Sequence, residues 1–326
     1  MPRNVKRQAD SPRRSLVSQK GTDNIMDNIK LMPPEEVVKM FARLGELKLD
    51  VSKIRRKFLD CPYGEEPRQS MDIYLPNEGD GPFPVLFFAH GGGWSGGAKS
   101  DNQLVPFIEG VYRGYAVVGL GYRLIPAIRY PENLFDIKSA LLWASQNAQT
   151  YLLDTDRFAL AGSSAGAHLV MMAAFTQGQP AFDCRPGAAA YRIRAVVEQF
   201  GPTDFSKFHS HYDESGYPRA QSPSAGSALD TLLGVKAELI PNLIRFINPI
   251  DSVRPGIPPV LIQHGRYDPI IAYQQGVELY EKINAVAGDG MAELDLSDEF
   301  LHADPGYAGA DSVNRIFNFL DRRVKG

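Results

Sequence analysis

Apolar residues along this chain come in two kinds of run. Short apolar-rich stretches recur at Pro84 to Ala89, Tyr115 to Leu120, Phe158 to Ala161, Ile193 to Gln199 and Pro259 to Gln263. Runs of this length with little polar alternation predict strands covered on both faces. Between them lie stretches with helical spacing: Leu104 to Gly114, Glu132 to Tyr151, Ala167 to Phe175, Gln274 to Val286 and Val313 to Val324. In the second of these, Leu134, Ile137, Ala140, Leu141 and Ala144 fall on one side. Ala292 to Leu296 alternates as a short strand. Lys57 to Cys61 and Ser70 to Leu75 predict edge strands joined through Pro62, Gly64 and Pro67. Strands alternating with helices predict an α/β fold with a mostly parallel sheet.

Two regions stand outside this rhythm. Pro33-Pro34-Glu35-Glu36 reads as a helix start, with proline in the first turn and acids at the positive dipole end. Val37, Val38, Phe41, Leu44 and Leu47 follow at helical spacing. Residues 31 to 50 are therefore expected to form a cap over a site or a docked helix, and their place before the first main strand favours the cap. The second region is an insertion, residues 205 to 255, loop-rich with a Leu/Ile-rich helical piece over 228 to 247. Inserted loops of this kind commonly line a pocket. Residues 1 to 24 are polar, and the first 20 carry six Lys/Arg against one Asp, which predicts a disordered basic arm. A single domain is expected over 25 to 326.

Composition narrows the function classes. Of 326 residues, 44% are hydrophobic and 22% charged, as in a globular protein, and the formal net charge is -3. That charge gives no basis for a nucleic-acid partner or an anionic membrane surface. No apolar run is long enough to span a bilayer, and the first residues lack the apolar core of a secretory leader. A cytoplasmic location is the expectation. Cys61 and Cys184 have neither disulfide-framework nor metal-pair spacing and are expected to be free, buried thiols.

The chemistry centres on Arg157 to Met172, R-F-A-L-A-G-S-S-A-G-A-H-L-V-M-M. A strand, a turn of small residues and an apolar helix bracket Ser164 in the pattern G-x-S-x-G, the form of a nucleophile elbow. A serine needs a base, ordinarily a histidine oriented by a carboxylate. Of six histidines, His302 is the loop residue late enough to follow both Ser164 and an acid. His168 lies one helical turn beyond Ser164 and is expected to point into structure. Asp268, just past an apolar strand in H-G-R-Y-D-P, is the expected acid; Asp204 and Glu198 compete less well, the first suiting a helix cap and the second lying within its strand. The order Ser164, Asp268, His302 is that of α/β-hydrolases. Ala89-His90-Gly91-Gly92-Gly93-Trp94 follows a strand directly. Bare glycine amides can be aimed at a developing oxyanion, so the N–H groups of Gly92, Gly93 and Ala165 are the expected donors, with His90 and Gly91 supporting the loop. No phosphate-binding glycine pattern is present there.

With these motifs in place the chain resembles the α/β-hydrolase superfamily over about Asp72 to Phe319. It is most similar to the hormone-sensitive-lipase-like carboxylesterases and the related feruloyl and acetylxylan esterases. The resemblance rests on HGGGW at 90 to 94, Y-R-L at 122 to 124, Y-P-E-N-L-F-D at 130 to 136, A-G-S-S-A-G-A-H-L at 161 to 169, G-P-T-D-F at 201 to 205, H-G-R-Y-D-P at 264 to 269 and L-H-A-D-P at 301 to 305. It implies an eight-stranded, mostly parallel central sheet flanked by helices, with a small cap from the N-terminal helix and the insertion. It also implies structural roles for Asp136, Tyr122 and Arg123. Many relatives carry glycine before the base, where this chain has Leu301. The expected activity is cleavage of small carboxylic esters with short acyl chains, acetyl or feruloyl esters of carbohydrate among them, through an acyl-enzyme. Trp94, Phe205, Phe208 and Tyr212 are expected to line the substrate pocket. No cofactor and no metal are expected, and the partners are an ester substrate and a second copy in a homodimer. The rival readings are an arylformamidase-like amide hydrolase and a non-catalytic ligand-binding module.

Overall fold

The computed structural model describes residues 31–183, 190–220 and 225–326. In chain order the strands are β1 (Leu31–Met32), β2 (Lys57–Pro62), β3 (Ser70–Tyr74), β4 (Phe83–Ala89), β5 (Ala116–Leu120), β6 (Leu153–Ser163), β7 (Ile193–Gln199), β8 (Arg219–Ala220), β9 (Val260–Gly265) and β10 (Ala292–Ser297). The α-helices are α1 (Pro34–Leu44), α2 (Val105–Ile108), α3 (Glu132–Gln146), α4 (Ala148–Tyr151), α5 (Ala165–Phe175), α6 (Phe208–Ser215), α7 (Ala225–Leu233), α8 (Pro241–Ile244), α9 (Gln274–Ala287) and α10 (Ala310–Leu320).

Eight strands form one sheet in the order β10-β9-β7-β6-β4-β5-β3-β2. β2 and β3 run antiparallel to their neighbours, and every other pairing is parallel. Residue alternation along β4 sorts its side chains between two layers. Val85, Phe87 and Ala89 pack with apolar residues of α3, α5 and α9, while Leu86 and Phe88 pack with those of α2 and α10. Both faces are covered, which is why the run is apolar throughout. Helix α5 is buried at every position and lies behind the sheet centre.

Several expected helices are shorter or broken. The crossover over Leu104 to Gly114 is a 3₁₀ turn, the single α turn α2, and a second 3₁₀ turn ending at Gly114 with φ +82°. The helix expected over Glu132 to Tyr151 breaks at Asn147 into α3 and α4. The piece expected over 228 to 247 is α7, a 3₁₀ turn and α8. Gly234 at φ +74° stops α7, and Pro241, which lacks an N–H, starts α8. The strand expected at Phe158 to Ala161 extends back to Leu153. Cys61 is buried and free; Cys184 and the basic arm, residues 1 to 24, lie outside the described residues.

Helix α1 lies over the carboxyl ends of the strands. β1, which precedes it, pairs in parallel with β8 of the insertion, Met32 opposite Ala220. Arg43 Nη1 donates to Asp304 Oδ2 at 2.9 Å, and Asn102 Nδ2 donates to the Leu44 carbonyl at 2.6 Å. The N-terminal helix is thus fastened to the loop after His302.

Candidate active site

The loops that leave β4, β6, β9 and β10 at their carboxyl ends carry, in turn, the glycine run, Ser164, Asp268 and His302. This is the edge at which open parallel sheets build sites. Ser164 sits between β6 and α5 at φ 52°, ψ -118°, a conformation that strains any residue with a side chain. The glycines two residues away make it attainable. A Cβ on Gly162 would lie 2.5 Å from the Gly166 carbonyl carbon, and one on Gly166 would lie 2.1 Å from the Ala89 oxygen. The Ser164 N–H donates to the Gln199 carbonyl at 2.8 Å, which fixes the turn to β7.

His302 Nε2 is 3.1 Å from Ser164 Oγ, and His302 Nδ1 is 2.7 Å from Asp268 Oδ2. The other Asp268 oxygen accepts the N–H groups of Ile270 and Ile271, each at 2.8 Å. Burial works against ionisation of Asp268. The positive potential and N–H groups of His302 and His264 outweigh it and hold the carboxyl at about 2. With a permanent carboxylate on Nδ1, the proton of neutral His302 sits there and Nε2 faces the serine as an acceptor. The ring is held edge-on by Phe200 at 4.8 Å and by Phe41 of α1 at 6.5 Å.

The glycine loop stands beside Ser164. Gly92 and Gly93 have φ of +118° and +58°, and Trp94 follows at +59°. A Cβ on Gly92 would lie 2.5 Å from the Gly96 oxygen, which itself turns back on this loop. Gln103 Oε1 accepts the Gly91 N–H at 2.9 Å, an anchor that no motif in the chain signals. Among the described residues, no acceptor stands against the N–H of Gly92, Gly93 or Ala165, and all three residues line the same cavity. Ala165 is the first residue of α5, so the positive end of that helix dipole faces the same place.

His90 Nδ1 is 2.8 Å from the Gly91 carbonyl, its ring stacks on Tyr122 at 4.3 Å, and Tyr122 donates to the His90 carbonyl at 2.7 Å. Burial holds the His90 ring neutral, with its pKa near 4. Asp136 receives both Arg123 and Gln69 at 2.7 to 3.2 Å, tying the loop after β5 to α3. His168 turns away from Ser164 and donates from Nε2 to the Ile247 carbonyl at 2.7 Å. Asp204 Oδ1 accepts the Ser206 N–H at 2.9 Å as a cap. Glu198 is fully buried in β7 and accepts the Gly201 N–H at 2.8 Å.

The cavity above Ser164 has a volume of about 980 Å³. Trp94, Phe205 and Phe208 line it as expected. Tyr212 does not. It packs behind Phe208 at 5.5 Å beneath the Arg219 guanidinium and is buried there. Val37, Phe41 and Leu44 of α1 and Ile244 of the insertion line it too, from the two regions expected to flank the site, and Ile271, just after Asp268, adds a lining residue that the spacing does not single out. The signal for the first three was the apolar spacing of that helix. Among the described residues, no group of three or more His, Cys, Asp or Glu is arranged to hold a metal, and no helix is long and apolar enough to cross a membrane.

This sheet, its elbow and its loop order define an α/β-hydrolase. Solved structures agree on the fold: a truncated carbohydrate esterase from gut microbiota superposes with a TM-score of 0.75 at 20% identity, covering 85% of this chain and 99% of that one. Esterase B of Lactobacillus rhamnosis gives 0.69 at 22%, covering 89% and 92%. The chain belongs to the BD-FAE family, whose model matches residues 71–283 and so takes in Ser164 and Asp268 but stops short of His302. It is 29% identical to Esterase LipC of Mycobacterium tuberculosis over 251 residues, 74% of this chain and 58% of LipC. It spans between half and three fifths of the length of the first curated relatives it matches.

Proposed function

We propose that the protein is a serine hydrolase that cleaves carboxylic esters through an acyl-enzyme. The observation that carries the reading is the unbroken chain from Ser164 Oγ to His302 at 3.1 Å and from His302 to Asp268 at 2.7 Å, beside unpaired amides. Ser164 attacks the ester carbonyl as His302 Nε2 takes its proton. Asp268 holds the Nδ1–H tautomer and stabilises the imidazolium. The N–H groups of Gly92, Gly93 and Ala165 receive the oxyanion. His302 then protonates the leaving alcohol, and water, deprotonated by the same ring, releases the acid.

The substrate class we assign is a short-acyl ester of a larger apolar or aromatic alcohol. A cavity of about 980 Å³ far exceeds an acetyl group, and its walls are mainly apolar. Esterase names among the relatives support ester over amide cleavage. A serine-reactive phosphonate tests the proposal: it should label the protein and fail to label Ser164→Ala. Absence of labelling on the folded wild type would return the chain to a binding role. A panel of p-nitrophenyl esters from C2 to C12, with methyl ferulate and N-formylkynurenine, then fixes the class. We carry a homodimer and a cytoplasmic location forward as proposals, tested by light scattering and by fractionation.

A further inference from the structure

Asp268 Oδ2 meets a second imidazole besides that of His302, and this ring belongs to a pair of ionisable groups that the proposed mechanism leaves idle. His264 ends β9 and is wholly buried. Its Nε2 lies 2.9 Å from the Ile271 carbonyl and 3.5 Å from Asp268 Oδ2. A carbonyl only accepts, so Nε2 carries a hydrogen in every protonation state, and the second proton of the ring can only come and go at Nδ1. Nδ1 is buried and has no hydrogen-bond partner among the described residues. Glu198 lies on the neighbouring strand. Its register partner is Ile262, two residues before His264, so both side chains leave the same face of the sheet. Glu198 Oε2 is taken by the Gly201 N–H, while Oε1 is buried and has no hydrogen-bond partner among the described residues.

Two buried groups with one idle atom each, on one face of adjacent strands, constrain each other's charge. With one proton between them the pair sums to zero, either as imidazolium and carboxylate or as neutral ring and acid. With no proton it leaves a second buried anion near the Asp268 carboxylate, and with two it leaves a cation that only Asp268, already bonded to His302, can meet. We infer that Glu198 and His264 hold one proton between them behind Asp268, and that this pair, through the charge of His264, sets how strongly His302 takes the serine proton. The inference rests on the reading of His302 as base.

Other groups near the pair do not take over this role. Tyr307 and Tyr212 sense Asp268, and burial keeps both phenols protonated. From α9 the ring meets Gly276, which has no side chain to offer. Burial raises Glu198 to about 7, and His264 opposes that rise. At His264 burial acts against the charged form, yet Asp268, Glu198 and the Ile271 carbonyl together raise it. Near neutral pH Glu198 can therefore yield its proton, and His264, whose hold on a proton is raised, is placed to keep it. A cationic His264 draws on the Asp268 carboxylate and so weakens His302 as a base. Glu198 and His264 are in this sense positioning residues, acting on the reaction only through Asp268.

The test is histidine-selective ¹⁵N NMR titration of the full chain, which needs no turnover. Glu198→Gln keeps the shape and the bond to Gly201, and His264→Gln still offers an N–H to Ile271. In Glu198→Gln the His264 midpoint should fall by about one pH unit, its counter-charge being gone. In His264→Gln the His302 midpoint should rise by roughly half a unit or more. The acid limb of kcat/KM should move with it, and the double variant should titrate at His302 as His264→Gln does. An unmoved His264 midpoint in Glu198→Gln, or an unmoved His302 midpoint in His264→Gln, overturns the inference. If His264→Gln does not fold, the Glu198→Gln titration alone decides. Failure of the hydrolase reading appears separately, as loss of phosphonate labelling in the wild type.

Discussion

Gly166 of the nucleophile elbow and Ala89 of β4 are in backbone contact: a Cβ at position 166 would stand 2.1 Å from the Ala89 carbonyl oxygen. That contact joins the turn bearing Ser164 to the strand that feeds the glycine loop. Nucleophile and oxyanion donors are thereby spaced by direct backbone contact. Gly166→Ala should push the two loops apart. We expect at least a hundredfold loss of esterase activity, of the order found when an oxyanion donor is lost, together with a lowered unfolding midpoint. Thermal melts and p-nitrophenyl acetate rates measure both.

Ser164→Ala removes the nucleophile and leaves no cavity of consequence. Activity should fall by about 10⁴-fold or more with the melting temperature unchanged. Asp268→Asn keeps the shape at that position but no longer stabilises the Nδ1–H tautomer of His302. A loss of about 10⁴ in kcat is expected, with KM nearly constant. A residual rate close to wild type in Asp268→Asn would move the acid role elsewhere.

Gly92 has φ +118° and no room for a methyl group. Gly92→Ala should displace its amide from the oxyanion position and lower kcat by about 10²–10³-fold. Phosphonate labelling should slow in parallel while substrate KM changes little. A variant that loses binding and keeps kcat would argue that the loop holds the ground state instead.

Phe41 of α1 is half-exposed, lines the cavity and touches the His302 ring at 6.5 Å. Phe41→Ala should widen the opening and shift preference along the p-nitrophenyl series toward longer acyl chains by roughly three- to tenfold, about what one or two buried methylenes are worth. The ratio of kcat/KM between C8 and C2 esters reads this directly.

His168 and His90 are buried and neutral, each with its pKa lowered by burial from 6.5 to about 4. The unfolded chain therefore binds more protons than the folded one between about pH 6.5 and 4. Stability should be complete above that window and fall as pH drops through it, by on the order of 3 kcal/mol per ring. Asp268, lowered from 3.8 to about 2, loses its own contribution only below that window. His168→Gln retains an N–H for Ile247 and cannot charge, so urea midpoints measured from pH 7 to 4 should show a shallower decline. An unchanged slope would mean that other groups govern acid unfolding.

Most of the frame was legible because it is written in apolar runs. β4, β5 and β7 are read from stretches whose two faces are both covered, and Ser164, Asp268 and His302 from their order after such strands. What the sequence concealed depends on chain reversal in space. Gln103 reaches Gly91 from a turn after the loop, and Arg43 of α1 reaches Asp304, in the loop after His302, across 261 residues. Tyr212 lies four residues beyond Phe208 on the same face of α6, so helical spacing does not reveal that one lines the cavity and the other packs behind it. The broken helices at Asn147 and Gly234 were lost to periodicity, which continues through a single capping residue. Glu198 reads as a strand residue out of reach of the serine, which holds, and the face it shares with His264 emerges only from the register of β7 and β9.

The strand order has a last consequence. Ser164 leaves β6, deep in the middle of the sheet, whereas His302 follows β10, which has a neighbour on one side only. Margins of a sheet fray at lower cost than its interior. Warming should therefore detach the base while the nucleophile stays seated, so catalysis should fade at temperatures where circular dichroism still reports an intact molecule.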